Sequence, residues 1–318
     1  MKRYQALNDG IVCVDTEQHR PQMAACYLIG GDGHYAFVEA GTSLSVPGLL
    51  QALEALGVER GMVDYVMPTH VHLDHAGGAG ALLRELPNAR LVIHPRGARH
   101  MIDPSQLIAG ATAVYGPKAM RATYGEILPV PEARVVVADV APDRDFELML
   151  GARRLQFIDA PGHARHHYAI WDEASGGWFT GDVFGLVYRE FDTPDGNYLI
   201  PTTSPVQFDP EAWNATLDRL LERSPAHVYL THYGRVDAVS ALANDLREGL
   251  VAYQRIARAH ADTPDRRARI RSDLMDHHLD QLRERRHPLP AARARALLEL
   301  DVEINAQGLE VWLDRQRG

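Results

Sequence analysis

The chain has 318 residues, of which 46% are hydrophobic and 24% are charged, and its formal net charge is −9 at pH 7. This composition is typical of a globular protein with one large domain, or with one domain and an appendage. The negative charge argues against nonspecific binding to nucleic acid, which needs a basic surface, and no apolar run approaches the roughly 20 residues of a membrane span.

Two further features bear on the cell compartment. The N-terminal residues MKRYQALNDG lack the apolar core of a signal peptide, so the sequence predicts a cytoplasmic protein. Cys13 and Cys26 match neither a disulfide framework nor a CxxC motif. We therefore expect both cysteines to be buried as small apolar residues.

The apolar pattern alternates between strand-like and helix-like segments. Strands are predicted at CYLIG and YAFVEAG, a helix at VPGLLQALEALG, a buried strand at VDYVMPT, a helix at GGAGALLREL and a strand at RLVIH. We expect an irregular stretch from about Pro104 to Pro131. Two hairpins follow, FELML with LQFIDAPG and then YAIWDEASGGWFTGD, before the helix DPEAWNATLDRLLER and the strand HVYLTHYG. Mixed strands with interspersed helices predict an α/β (α+β) fold with sheets covered by helices.

The end of the chain has a different character. From Asp262 onward 11 acidic residues balance 11 arginines, so the negative excess lies in the preceding residues. Apolar residues such as Leu297, Leu300 and Ile304 recur at helical spacing. We predict a main domain at residues 1–240 and a helical extension at residues 241–318.

The densest group of polar residues follows a predicted strand. PTHVHLDHAGG places His70, His72, Asp74 and His75 directly after an apolar segment and before two glycines. Residues two apart in an extended segment point the same way, so His70 and His72 can bind one metal while Asp74 and His75 face a second. Three later apolar segments each end on one ligand-type residue: His163, Asp182 and His232. Imidazole and carboxylate ligands suit zinc, iron or manganese.

These residues also carry a family resemblance. THVHLDH, DAPGH, TGD and LTHYG, in this order, resemble the metallo-β-lactamase superfamily and its lactonase and glyoxalase II-like branch, over about residues 10 to 240. The resemblance implies a four-layer αβ/βα sandwich with a C-terminal helical appendage. It also implies two divalent metal ions, with zinc favoured over iron or manganese. Metal 1 would be held by His70, His72 and His163, metal 2 by Asp74, His75 and His232, and Asp182 would bridge the two.

A pair of metal ions implies hydrolysis. Two cations lower the pKa of a shared water, which gives a hydroxide at neutral pH, and they stabilise charge that develops on oxygen. The expected reaction is cleavage of a lactone, ester, thioester or amide, with Asp74 relaying the proton. The absence of an export signal argues against a β-lactamase role.

Some residues depart from the family pattern or stay outside it. Glu39 stands where many relatives have aspartate, so its contact with the ligands is left open. His167 is predicted to lie beside the ligands and His166 to be exposed. The Asp276–His278 run is predicted to form a solvated face, and His94 ends a strand without a partner motif.

The sequence gives weaker indications of the residues that line a substrate pocket. In lactonase-like members a tyrosine after the bridging aspartate is an oxyanion donor, and Tyr188 stands six residues after Asp182. Tyr188 is thus a catalytic candidate, with packing in the core as the alternative. Phe184, Phe191 and Tyr198 are candidates for lining an apolar pocket, which suggests a hydrophobic acyl group.

Two other functions are kept as alternatives. One is a persulfide dioxygenase-like oxidoreductase with a single iron, and the other is a metal-binding protein without catalysis. We expect a small-molecule substrate and neither a nucleic-acid nor a membrane partner. The helical extension is expected to form a lid over the site or the interface of a homodimer.

Overall fold

A computed structural model describes residues 3–194 and 196–317 of the chain. These residues form two compact units. The first comprises the residues up to Ala160 together with His166–Gly181 and Pro225–Asp237, and the second comprises Pro161–Arg165, Asp182–Ser224 and the residues from Ala238 onward. The chain passes into the second unit for the last time after Asp237. This position lies close to the domain boundary predicted at residue 240, but two earlier segments also belong to the second unit.

The first unit contains both β-sheets. The seven strands of one sheet lie in chain order: β1 (Tyr4–Ala6), β2 (Ile11–Asp15), β3 (Ala25–Gly31), β4 (His34–Val38), β5 (Val63–Met67), β6 (Arg90–Ile93) and β7 (Val135–Val137). The pairs from β1 to β4 are antiparallel and those from β4 to β7 are parallel.

The other sheet has six strands, β8 (Phe146–Leu150), β9 (Arg153–Asp159), β10 (Tyr168–Asp172), β11 (Gly177–Gly181), β12 (His227–Leu230) and β13 (Gly234–Val236). Only β11 and β12 pair in parallel among these described strands; the other neighbours are antiparallel. Both predicted hairpins, β8–β9 and β10–β11, are present.

Six helices belong to the first unit: α1 (Val46–Leu56), α2 (Leu73–Ala76), α3 (Ala79–Glu85), α4 (Ala98–Ile102), α5 (Ser105–Tyr115) and α6 (Pro117–Tyr124). The expectation of an irregular stretch between Pro104 and Pro131 was therefore wrong over α5 and α6. Gly116, with φ of 78°, ends α5, and Pro117 occupies the start of α6. A glycine after one helix and a proline at the start of the next are ordinary boundary signals, and here they separate two helices.

The alternation of side chains along β3 explains how the helices and the second sheet pack on the two sides of the seven-stranded sheet. Cys26 and Leu28 point to one side of the sheet and pack with Leu49 and Leu53 of α1. Tyr27 and Ile29 point to the other side and join a second apolar cluster that includes Phe157, Tyr168 and Phe179 of the six-stranded sheet. Because neighbouring residues of a strand face opposite sides, β3 contributes to both cores. Cys13 and Cys26 are free and buried, as predicted.

The second unit is helical. It contains α7 (Pro210–Leu221), α8 (Val239–Ala259), α9 (Arg266–Glu284) and α10 (Ala291–Arg317), together with the loop that leads from Asp182 to α7. Leu246, Leu250 and Tyr253 of α8 are fully buried at helical spacing. The predicted C-terminal helical region is confirmed. Among the residues that the structure describes, no helix is long and apolar enough to cross a membrane.

Candidate metal centre

The loop after β5 carries the histidine cluster. His70 is fully buried and His72 is half-buried, and Nε2 of His70 lies 2.9 Å from Nδ1 of His72. His72 has an extended backbone immediately before α2 begins at Leu73. The extended conformation brings residues two apart to the same side, so the two rings meet.

Asp74, His75 and His232 converge within the first unit. Oδ2 of Asp74 lies 3.6 Å from Nε2 of His75 and 3.4 Å from Nε2 of His232. One ligand-type atom from each of the three lies within 4.8 Å of the others. Ligands about 2.0–2.2 Å from a tetrahedral zinc lie about 3.4 Å from one another. The spacing therefore fits a divalent metal ion between these three side chains.

The hydrogen bonds of the two rings support the same conclusion. Nδ1 of His232 donates to the backbone oxygen of Met23 at 2.8 Å, and Nδ1 of His75 lies 3.0 Å from Oε1 of Glu39. A neutral imidazole that donates through Nδ1 presents an unprotonated Nε2. Here both Nε2 atoms lie near the Asp74 carboxylate, so lone pairs face a negative group. A cation between them removes this repulsion, and a second hydrogen bond of this kind is typical of metal-binding histidines.

Glu39 links the two loops that carry these ligand-type residues. Its side chain is almost completely buried. Its carboxylate accepts hydrogen bonds from the backbone N–H of Thr69 at 3.1 Å, from the hydroxyl groups of Thr69 and Thr231 at 2.6 and 3.0 Å, and from His75 at 3.0 Å. Thr69 directly precedes His70, and Thr231 directly precedes His232. The question left open by the sequence is thereby answered: glutamate at this position does contact a ligand-type histidine.

The threonines were not predicted as functional residues. Each stands immediately before a histidine, in PTH and in LTH, and this repetition is the signal that could have identified them. Thr69 and Thr231 are both buried, and each hydroxyl donates to Oε1 of Glu39. A buried carboxylate needs such donors because burial removes its water.

His163 and Asp182 lie in the second unit. Nε2 of His163 is 3.5 Å from Oδ2 of Asp182, and Nδ1 of His163 donates to the backbone oxygen of Thr202 at 2.8 Å. Both side chains are buried. The arrangement repeats that of His232, with Nδ1 bonded to a carbonyl and Nε2 facing a carboxylate. Such a ring is oriented to bind a metal through Nε2.

A glycine allows His163 to occupy this position. Gly162 has a φ of 138°, and a Cβ at this residue would lie 2.5 Å from Cα of Trp213 in α7. The nitrogen of Asp209 donates to the oxygen of Gly162, just before α7 begins. Any larger residue would push His163 away from the helix, which explains the glycine in DAPGH.

Three other histidines near the loop are placed as follows. His167 is fully buried, and its ring stacks on that of His70 with 4.7 Å between centroids. His166 was predicted to be exposed, and this was wrong: it is 9% exposed and stacks on His70 at 6.1 Å. The turn before β10 lies against the His70 loop, and this places the rings of His166 and His167 beside His70. His94 is buried and bonded to Asp159 at 2.9 Å.

The Asp276–His278 run does not form one solvated face. Asp276 is exposed and His277 is half-buried, but His278 is 1% exposed. Tyr198 and Tyr253 place their hydroxyl groups 2.6 Å from Nδ1 and Nε2 of His278. Burial lowers the pKa of His278 to about 3, helped by the nearby His277. The expectation was wrong for His278 because the apolar face of α9 includes it.

Tyr188 is 1% exposed, and its hydroxyl donates to Oδ1 of Asp301 in α10 at 3.0 Å. Phe184, Phe191 and Tyr198 are likewise buried, and the ring of Phe191 contacts those of Tyr188 and Tyr198. Tyr188 and Tyr198 therefore both pack against Phe191 in the second unit. The catalytic role of Tyr188 stays a prediction.

Comparison with known sequences identifies the family. The sequence model of the metallo-beta-lactamase superfamily matches residues 19–232. The chain is 28% identical over 219 residues to the metallo-beta-lactamase fold-containing protein ST1585 of Sulfurisphaera tokodaii, and the match covers 68% of this chain and 75% of ST1585.

Solved structures agree in fold. The crystal structure of ST1585 superposes with a TM-score of 0.58 at 24% identity, over 78% of this chain and 87% of that one. The metallo-beta-lactamase family protein TTHA1429 from Thermus thermophilus superposes with a TM-score of 0.66 at 20% identity, over 98% of this chain and 95% of that one. The predicted fold class, an αβ/βα sandwich of mixed α/β sheets with a C-terminal helical region, is confirmed. The chain belongs to the metallo-β-lactamase superfamily.

Proposed function

We propose that the protein is a metal-dependent hydrolase of the lactonase and glyoxalase II-like type, acting on a lactone, ester or thioester. The observation that carries this proposal is the convergence of Asp74, His75 and His232, with both imidazole Nε2 atoms 3.4–3.6 Å from one carboxylate oxygen. Superfamily membership adds weight, because most members are hydrolases.

We assign the ligands of two divalent ions from the family motifs. His70, His72 and His163 are proposed for one ion, Asp74, His75 and His232 for the other, and Asp182 for both. The donor types favour zinc, with manganese or iron as alternatives. When bound, such a pair of ions supplies a nucleophilic hydroxide at neutral pH and stabilises charge on the substrate oxygens.

The protein's own residues have separate tasks in this proposal. Glu39 and the backbone oxygen of Met23 hold His75 and His232 with Nε2 available, through the bonds to Nδ1. The backbone oxygen of Thr202 does the same for His163. Asp74 is about one-quarter exposed at its side chain, so it can pass a proton to solvent or to the leaving group.

One observation favours a second candidate. Two histidines and one carboxylate, as in the Asp74–His75–His232 group, are also the donor set of mononuclear iron oxygenases. The alternative is therefore an oxidoreductase of the persulfide dioxygenase type.

Metal analysis separates the two candidates. Protein expressed without added metal is purified, its metal content per chain is measured, and hydrolysis of a lactone, an ester and a thioester panel is assayed. About two zinc or manganese ions with hydrolysis support the proposal. One iron per chain, no hydrolysis by the loaded protein and oxygen consumption with a thiol persulfide would overturn it.

A further inference from the structure

The segment Pro201–Thr203 contacts both ligand-type residues of the second unit. The backbone oxygen of Thr202 accepts the Nδ1–H of His163 at 2.8 Å, and the hydroxyl of Thr202 donates to the backbone oxygen of Asp182 at 2.9 Å. The position of Thr202 therefore sets where the His163 ring and the Asp182 backbone lie. Whatever fixes Thr202 acts on both.

Asn305 of α10 holds the residues on either side of Thr202. Its Nδ2 donates to the backbone oxygen of Pro201 at 2.9 Å, and its Oδ1 accepts from the backbone N–H of Thr203 at 2.5 Å. The hydroxyl of Thr203 lies 3.1 Å from both Oδ1 and the backbone oxygen of Asn305. One side chain thus satisfies a donor and an acceptor that flank Thr202.

The chemistry of this contact requires a primary amide. A carboxylamide offers an acceptor and two donors, so it can pair with a backbone oxygen and a backbone N–H at once. Asn305 is 2% exposed, and an apolar side chain there would leave both backbone groups without these partners, which is costly in a buried position. The Asn305 amide therefore forms the two backbone hydrogen bonds that a neighbouring β-strand would otherwise form.

The surrounding helix approaches the segment very closely. A Cβ at Gly308, three residues after Asn305, would lie 1.5 Å from the backbone oxygen of Thr203. A glycine at this position lets α10 reach the segment and place Asn305 against it. Nδ2 of Asn305 also lies 3.5 Å from the hydroxyl of Tyr253, which connects it with the buried His278.

We propose that Asn305 is a positioning residue for the metal centre: it fixes Thr202, whose carbonyl selects the His163 tautomer that presents Nε2. This inference rests on the proposed role of His163 as a metal ligand. It assigns to the C-terminal helix a part in metal binding, although none of the proposed ligands lies on that helix.

The test compares metal affinity in matched variants. Asn305→Leu removes the amide and keeps the branched shape and the number of side-chain heavy atoms. Gln307→Leu, two residues along on the same helix, is the control because its amide donates to Glu303 of that helix rather than to the Pro201–Thr203 segment. The affinity for Co²⁺ is measured by competition with a chelator, together with the visible spectrum of the cobalt-loaded protein and the thermal unfolding of the metal-free protein. We expect a loss of about 10- to 100-fold in Co²⁺ affinity and a changed spectrum for Asn305→Leu, and neither for Gln307→Leu.

A double-mutant cycle distinguishes positioning from general stabilisation. In a His163→Ala background the effect of Asn305→Leu on Co²⁺ affinity should be at least about 3-fold smaller than in the wild-type background, because the route through the His163 ring is gone and only the contact of Thr202 with the Asp182 backbone remains. An effect of the same size in both backgrounds would overturn the inference. A His163→Ala variant with unchanged Co²⁺ affinity would instead refute the proposed ligand role.

A second substitution covers the case in which Asn305→Leu does not unfold cooperatively. Asn305→Asp keeps the acceptor for Thr203 and loses the donor to Pro201, with almost no change in shape. We expect about a 10-fold loss of Co²⁺ affinity. Wild-type affinity and an unchanged cobalt spectrum in a folded Asn305→Asp variant would contradict the inference.

Discussion

Replacing Glu39 by glutamine tests whether its carboxylate is the common acceptor for both ligand loops. In the native protein Oε1 faces three donors, from Thr69, His75 and Thr231, and Oε2 faces the backbone N–H of Thr69. In Glu39→Gln an amide oxygen can serve the first three donors, but the amide nitrogen then faces the N–H, which loses its acceptor. The exchange removes one hydrogen bond and the charge from three others without creating a cavity.

The expected cost follows from these contacts. A buried N–H without a partner costs about 1–3 kcal/mol, and the loss of charge from a hydrogen bond costs about 1 kcal/mol, so the three remaining bonds add about 2–3 kcal/mol. We expect the unfolding free energy of the metal-free protein to fall by about 3–6 kcal/mol, a large part of a typical net stability of about 5–15 kcal/mol. The weaker bond to His75 should also lower metal affinity by about 10-fold or more.

Urea unfolding of the metal-free protein, with Glu85→Gln as the control, measures this cost. Glu85 is exposed and pairs with Arg60 on the surface, so its loss should change the unfolding free energy by less than about 1 kcal/mol. A loss below about 1 kcal/mol for Glu39→Gln, with native metal affinity, would show that the charge of Glu39 does not organise the two loops.

Three further results are expected. Asp182→Ala should lower metal content and abolish hydrolysis while the protein still unfolds cooperatively, and full metal content with normal turnover would remove Asp182 from the site. Burial lowers the pKa of His278 to about 3 in the folded protein, against about 6.5 in the unfolded chain. The stability that the neutral His278 ring contributes is therefore complete above about pH 6.5 and is lost as the pH falls toward 3. Its share of the unfolding free energy should fall by about 2 kcal/mol between about pH 7 and pH 5, and an equal pH dependence in His278→Gln would refute this. Hydrolysis of an activated lactone should rise with pH through one ionisation near neutrality, and it should stop on chelation and return with zinc, manganese or cobalt; activity that survives complete metal removal would contradict the proposal.

The clustering of the ligand-type residues after β5 could be predicted because these residues are close together in the sequence. His70, His72, Asp74 and His75 lie within six positions, and a short extended loop leaves few ways to arrange them. The same holds for the strands, which are short apolar segments that can be recognised locally. Family resemblance then ordered the distant residues, which spacing alone could not have done.

Contacts between distant segments could not be predicted in this way. Glu39 reaches Thr231 across 192 positions, and it adopts a φ of 68° that no local pattern requires. The contacts of Asn305 could not be predicted for the same reason, because a single asparagine in a helix gives no indication of its hydrogen-bond partners. The sequence did contain one signal that was misread: Ile270, Leu274, His278 and Leu282 recur every four residues, which places His278 on the buried face of α9.

The family pattern and the structure indicate different roles for Tyr188, the predicted catalytic residue outside the metal cluster. The family pattern makes its hydroxyl an oxyanion donor, whereas in the structure that hydroxyl donates to Asp301. A phenol has one proton to donate, so it cannot stabilise a substrate oxygen while this bond is kept. The two roles therefore predict different losses for the same substitution.

Tyr188→Phe removes only the hydroxyl, and both the turnover rate and the unfolding free energy can be measured on the purified variant. If the hydroxyl serves Asp301, the loss appears mainly as stability, about 1–3 kcal/mol, because a half-buried carboxylate loses a donor, and turnover changes by less than about 3-fold. If it is an oxyanion donor, turnover slows by about 10- to 1000-fold. We expect the first result from the geometry of the second unit, with Tyr198→Phe as a control that removes a buried hydroxyl bonded to His278 instead. Turnover slowed to the extent expected of a lost oxyanion donor, with unchanged stability, would restore Tyr188 to catalysis and would mean that its bond to Asp301 breaks when substrate binds.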